Sequence, residues 1–99
     1  MAKNISNQDA KHLIKNGVKV IDIRDKKDFQ ASHIPGSFNI DIDELNRIKD
    51  FIYSQHENII VICSHGIRSI AVAEKLTELG YTNVFNLLNG YDNYKKSGH

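Results

Sequence analysis

Ile59-Ile60-Val61-Ile62-Cys63-Ser64-His65-Gly66-Ile67-Arg68-Ser69 is the stretch that decides the fold. Four β-branched apolar residues run without a break into the only cysteine of the chain. A short polar loop follows, and an arginine and a serine then open an amphipathic helical pattern. An unbroken apolar run bounded by turn residues marks a strand buried on both faces. Cys63 therefore belongs at the carboxyl end of a central parallel strand, where open α/β sheets place their ligand crevices.

The chemistry of that position follows from its neighbours. A thiol reacts as its thiolate, and a free cysteine titrates near pKa ~8.5. Backbone N–H groups of residues 64 to 69 can curl around the sulfur, with the positive end of the next helix behind them. Arg68 would add a fixed positive charge and a planar fork of donors. All three favour an anion, so a thiolate pKa lowered by ~1–3 units is expected. Gly66 suits a backbone that turns sharply or approaches a ligand closely. A cysteine after an apolar strand is, by itself, more often a small buried hydrophobe than a nucleophile. Loop, arginine and helix start together shift that balance toward a nucleophile.

Cys63-Ser64-His65-Gly66-Ile67-Arg68-Ser69 resembles the active-site loop of single-domain rhodaneses, sulfurtransferases that carry sulfur as a cysteine persulfide. Cysteine-based phosphatases on the same fold place five residues between cysteine and arginine; here there are four, Ser64 to Ile67, the shorter sulfurtransferase spacing. His33-Ile34-Pro35-Gly36-Ser37 is similar to that family's His-Ile-Pro-Gly-Ala signature, and Asp22-Ile23-Arg24 to its strand-end Asp-x-Arg. In the family both shape the fold. Ser64, Ser37, Asn89 and Tyr94 depart from the family pattern, which often has a basic or bulky residue at the first of these positions and a tryptophan at the last.

Working outward, the rest of the chain supplies alternating strands and helices. Ile5 begins an edge strand that runs into a helix capped by Ser6, with Asp9 three residues on. Ala10, Leu13 and Ile14 give that helix its apolar stripe, and Gly17 its stop. Val18 to Ile23 is the second strand, and residues 25 to 31 form a short charged helix or turn with Phe29 as anchor. Pro35-Gly36 signals a type II turn, with His33 holding the turn together in preference to a catalytic role. After a short strand at Phe38 to Ile40, Asp41 is expected to cap a helix with Glu44 at N3 and Leu45, Ile48 and Ile52 on one face. Beyond the cysteine loop, Val72, Leu76 and Leu79 should face inward, with Gly80 ending the helix. Asn83 to Leu87 is the last strand, and Asn89-Gly90-Tyr91 turns into a final helix anchored by Tyr94. This pattern gives a single α/β domain over residues 1–99 with a parallel sheet. The resemblance implies a five-stranded, mainly parallel sheet flanked by helices on both faces.

Composition sets the remaining bounds. Ninety-nine residues suffice for one core. A net charge of +1, with no basic cluster interleaved with aromatics, argues against nucleic acid or an anionic membrane surface as partner. No apolar run approaches a membrane span and no signal-peptide core opens the chain. One cysteine excludes an internal disulfide, suits a reducing, cytoplasmic setting, and leaves no second thiol to resolve a persulfide. Cys63 and His65 lack a second pair at zinc-site spacing, so no metal is expected. Tyr81, Tyr91 and Tyr94 read as packing residues with wet hydroxyls.

The functional expectation is a sulfurtransferase of the thiosulfate:cyanide type, needing no cofactor beyond a covalent persulfide on Cys63. Cys63 is its nucleophile and Arg68 its charge; Ser64, His65, Gly66, Ile67 and Ser69 shape the pocket and supply donors. His65 either borders the pocket mouth or is simply solvated. The donor would be thiosulfate or a persulfide, and the acceptor cyanide, a thiol or a protein. The alternatives are a rhodanese-fold interaction module with an incidental cysteine, and a thiolate-dependent phosphatase or arsenate reductase, for which the loop is tight.

Overall fold

Strands and helices alternate along the chain as the apolar periodicity requires. The computed structural model describes residues 2–97, so residues 1, 98 and 99 of the expected 1–99 span lie outside the described residues. Its elements are β1 (Lys3–Ile5), α1 (Asn7–Lys15), β2 (Lys19–Asp22), α2 (Lys26–Ala31), β3 (Phe38–Asn39), a 3₁₀ segment (Ile42–Asp50), β4 (Asn58–Ile62), α3 (Arg68–Glu78), β5 (Asn83–Leu87) and α4 (Gly90–Lys96). All five strands join one sheet in the order β1-β5-β4-β2-β3, and every pairing is parallel.

The quoted apolar run is the centre of this sheet. Ile59, Ile60, Val61 and Ile62 are each fully buried. Side chains alternate between faces, so β4 feeds two cores. Ile59, Val61 and Cys63 pack on one face with Ile21, Ile48 and Ile52, and with Val72, Ala73 and Leu76 of α3. Ile60 and Ile62 pack on the other with Ala10 of α1, Leu87 and Tyr91 of α4. Sheet order fixes where a ligand can approach. The chain leaves β2 outward to β3 and leaves β4 in the opposite direction to β5. The topological switch point therefore lies between the carboxyl ends of β2 and β4, where Arg24 and Cys63 stand.

The local signals at α1 and the proline turn hold. Ser6 Oγ accepts from Asp9 N at 3.1 Å. Gly36 takes φ +84° after Pro35, and Ser37 N donates to Ile34 O at 3.0 Å, as a type II turn requires. His33 Nδ1 pairs with Phe29 O at 2.8 Å, and its ring stacks on Phe29 at 3.9 Å. Phe29 is half-buried, and no residue of α2 is fully buried.

Three expectations change. The helix after Asp41 is a 3₁₀ run: Asp41 caps Asp43 N at 2.9 Å, and Glu44 is non-helical at φ −123°, ψ 32°. Beyond Glu44, Leu45, Ile48 and Phe51 recur every three residues and pack on the core, and three residues per turn aligns such a stripe. Leu79 is half exposed because it is the C-cap of α3; the inward stripe is Ser69, Val72, Ala73 and Leu76. Tyr91, 5% exposed, anchors α4 in place of the half-buried Tyr94. Its hydroxyl lies 2.7 Å from Ser32 Oγ, and so is partnered inside the protein.

Candidate active site

The loop from Cys63 to Ser69 is shaped around its sulfur. Cys63 ends the central strand at 3% exposure, and Sγ accepts N–H bonds from Gly66 at 3.2 Å and Ser69 at 3.3 Å. The Ser69 hydroxyl lies 3.2 Å from Sγ. Ser69 is the second residue of α3, and Ile67 at the N-cap offers no side-chain hydrogen bond. The sulfur thus takes the place of a capping oxygen, meeting an N–H that the helix cannot satisfy internally. Burial pushes the Cys63 thiol up. The Ser69 hydroxyl and the backbone N–H groups of Ser69, His65 and Gly66 outweigh it, and the thiol is held below its ordinary value.

Two glycines let the loop close. Gly66 has φ +80°, and a β-carbon there would overlap the Leu88 carbonyl oxygen. Gly90, at φ +78°, would clash with Ser64 O and the His65 backbone in the same way. The loop after β4 and the turn after β5 therefore lie backbone against backbone, tied by Tyr91 N to Cys63 O at 2.8 Å and Asp92 N to Ser64 O at 3.2 Å.

The support beneath is ionic. Asp22 is fully buried and Arg24 is 6% exposed. Arg24 Nε and Nη2 reach the carboxylate at 2.8–3.1 Å, and Nη2 also donates to Ser32 O at 2.6 Å. Asn39 Nδ2 donates to the carbonyls of Asp22 and Arg24 at 3.0 and 2.9 Å. The guanidinium lies 4.3 Å from the centre of the Tyr91 ring. Asp22 and Arg24 thus fix the end of β2 and hold the residue that bonds Cys63 O.

Of the sequence-predicted site residues, Cys63, Gly66 and Ser69 converge on the sulfur. Ser64 is half-buried and contributes its carbonyl to Asp92. His65 is exposed, with Nδ1 3.9 Å from Asp92 Oδ2, and Ile67 is 72% exposed at the rim. Arg68 departs from expectation. It is exposed at the head of α3, and among the described residues its guanidinium makes no hydrogen bond or ion pair. The thiol is lowered by neutral donors, and Arg68 is not among its causes. Asn86 and Gly90 were not anticipated. Asn86 shares the inward face of β5 with Val84, and a lone asparagine at that period was the available signal. No group of three or more His, Cys, Asp or Glu suited to a metal gathers among the described residues.

A rhodanese-like domain model matches residues 6–97. The chain belongs to the rhodanese-like domain family. It is 36% identical over 95 residues to the thiosulfate sulfurtransferase GlpE of Haemophilus influenzae, an alignment covering 93% of this chain and 87% of that one. The like-named protein of Actinobacillus pleuropneumoniae is 35% identical, with 95% and 87% covered. Among solved structures, a rhodanese-related protein from Thermoplasma volcanium is 30% identical with a TM-score of 0.84, over 98% of this chain and 94% of that one. A Rhodopseudomonas palustris protein described as a possible tyrosine phosphatase reaches the same TM-score at 23% identity over 98% of this chain and 82% of that one, a likeness of fold. No helix among the described residues is long and apolar enough to cross a membrane.

Proposed function

We propose that this rhodanese-like protein is a sulfurtransferase that carries sulfane sulfur as a persulfide on Cys63. The observation that carries the reading is the convergence of Gly66 N–H, Ser69 N–H and the Ser69 hydroxyl on one thiol, inside a loop with four residues between cysteine and arginine. The relatives named thiosulfate sulfurtransferase supply the reaction class.

In the first half-reaction the Cys63 thiolate attacks the outer sulfur of thiosulfate or of a persulfide. A new S–S bond forms, the donor S–S bond breaks, and sulfite or a thiolate leaves with the bonding pair. The exposed Arg68 guanidinium meets the anionic donor and leaving group at the mouth. In the second half-reaction cyanide or an acceptor thiolate attacks the terminal sulfur, and Cys63 departs as the thiolate that the loop N–H groups stabilise. The oxidation state of the enzyme is restored without a resident cofactor. Because the chain has no second cysteine, the acceptor is another molecule, a small thiol or a protein. A lone reactive thiol suits a reducing compartment such as the cytoplasm.

Intact mass after incubation with thiosulfate, and separately with a low-molecular-weight persulfide, tests this. The expected result is a gain of about one sulfur, ~32 Da, reversed by cyanide and absent in Cys63→Ser. A folded protein that takes no sulfur from either donor overturns it.

A further inference from the structure

Asn86 is the buried polar residue of β5, 1% exposed, and the cysteine loop closes over it. Its amide is fully used. Nδ2 donates to Gly66 O at 3.2 Å and to Asn4 Oδ1 at 3.0 Å, while Oδ1 faces the Ser69 hydroxyl. The orientation is forced: a carbonyl only accepts, so the NH₂ must face Gly66 and the oxygen must face Ser69. An amide oxygen also only accepts, so Ser69 is the donor of that bond. A hydroxyl has one proton. With it on Asn86, Ser69 turns only lone pairs toward Cys63 Sγ 3.2 Å away. A thiol can donate into those lone pairs; a thiolate finds no donor there.

We propose that Asn86 is a positioning residue that competes with the Cys63 thiolate for the single hydroxyl proton of Ser69. The resting network runs from the thiol S–H to Ser69 Oγ, and from the Ser69 O–H to Asn86 Oδ1. On ionisation the thiol proton leaves to solvent and Ser69 keeps its own, swinging it from Asn86 to the sulfur. Gly66 N–H and Ser69 N–H remain on sulfur throughout. Asn86 Oδ1 is then left without a partner in a buried site, a penalty that falls on the ionised form alone. Asn86 therefore restrains the acidity that the loop confers. That restraint has a use, because intrinsic thiolate nucleophilicity falls as thiol pKa falls.

The inference rests on the reading of Cys63 as a reactive thiol, but its test reads ionisation and not turnover. Failure of sulfur transfer and failure of the proton competition are therefore distinguishable. The pH dependence of iodoacetamide alkylation of the single cysteine is measured in four proteins: wild type, Asn86→Leu, Ser69→Ala and the double variant. The charged groups around the loop stay in place in all four: His65, Arg68 of α3, Asp92 of α4, and the Asp22–Arg24 pair at the end of β2.

Asn86→Leu frees the Ser69 proton, and the midpoint is expected to fall by about half to one pH unit, the scale of one neutral hydrogen bond. In the Ser69→Ala background the same change shifts nothing. A midpoint that rises or stays in Asn86→Leu, or an equal shift in both backgrounds, overturns the proposal. Should Asn86→Leu not fold, Ser69→Ala alone decides. Competition reduces what the hydroxyl contributes to the thiolate without cancelling it, so its loss raises the midpoint by no more than about half a unit; a rise of a unit or more overturns the proposal. Asn4→Ala removes the other tie of Asn86 while leaving Oδ1 on Ser69, and leaves the midpoint in place. A shift there as large as that of Asn86→Leu reduces Asn86 to a loop support and overturns the proposal as well.

Discussion

A guanidinium five residues after a thiol would be expected to govern its acidity, yet Arg68 stands exposed while neutral donors close on the sulfur. In the proposed cycle its work is on the substrate. Arg68→Ala is expected to leave the alkylation midpoint of Cys63 unchanged and to raise KM for thiosulfate about ten-fold, the scale of one charged hydrogen bond at a wet site. Steady-state kinetics beside the alkylation titration check both halves. The depressed thiol also has a consequence for stability. Burial pushes the group up and the surrounding donors pull it further down, so the native state loses its proton at lower pH than the unfolded chain. Between the two values the unfolded chain binds more protons, and stability rises with pH. The contribution is full above the ordinary thiol value and lost as pH falls through the folded one. Urea unfolding of wild type against Cys63→Ala, from neutral pH up to the ordinary thiol value, should show this rise only in the wild type.

Among the elements, those written contiguously were the legible ones. The strand, loop and helix start around Cys63 follow one another in eleven residues, so apolar run, turn and helical stripe could be read directly. The partners that complete the site come from β5 and the turn after it, and only the sheet order brings them alongside. Asn86 is opposite Val61 in the β4–β5 register, a relation no local pattern contains. The 3₁₀ segment departs from its sequence pattern for a different reason. Asp41 and Glu44 have capping-box spacing, but the apolar period of three from Leu45 to Phe51 outweighs it. The interlock of the two loops gives a prediction at this scale. Gly90→Ala puts a β-carbon into the Ser64 and His65 backbone at a positive φ, so the cysteine loop must shift. Alkylation of Cys63 should return toward the behaviour of a free thiol while far-ultraviolet circular dichroism keeps its native shape. A change confined to thermal stability, with Cys63 titrating as in wild type, would mean that the turn gives way and the loop does not.

For the whole molecule, burial is unevenly distributed, and opening should follow it. β4 is hydrogen-bonded to strands on both sides and covered on both faces, so its backbone can reach solvent only when both cores separate. α2 has no fully buried side chain, and its end is held by the Arg24 bond to Ser32 O. Local opening free energies range from near zero at such segments up to the global value in core strands. Amides of Ile60 to Ile62 should therefore exchange only by global unfolding, and those of Lys27 to Ala31 far sooner. The buried ion pair links the two regions, because Asp22 is in the sheet and Arg24 reaches toward α2. Replacing Asp22 by Asn leaves the Arg24 charge buried without its counter-ion, a loss expected to cost about 3–5 kcal/mol in global stability. Because Arg24 also lies against Tyr91, the same variant should release the cysteine loop before β4 opens. Hydrogen exchange followed peptide by peptide would then show protection lost at Cys63–Ser69 together with α2. Equal loss across β4 and α2, with no earlier step at the loop, would instead make the pair a general stabiliser of the sheet with no particular hold on the site.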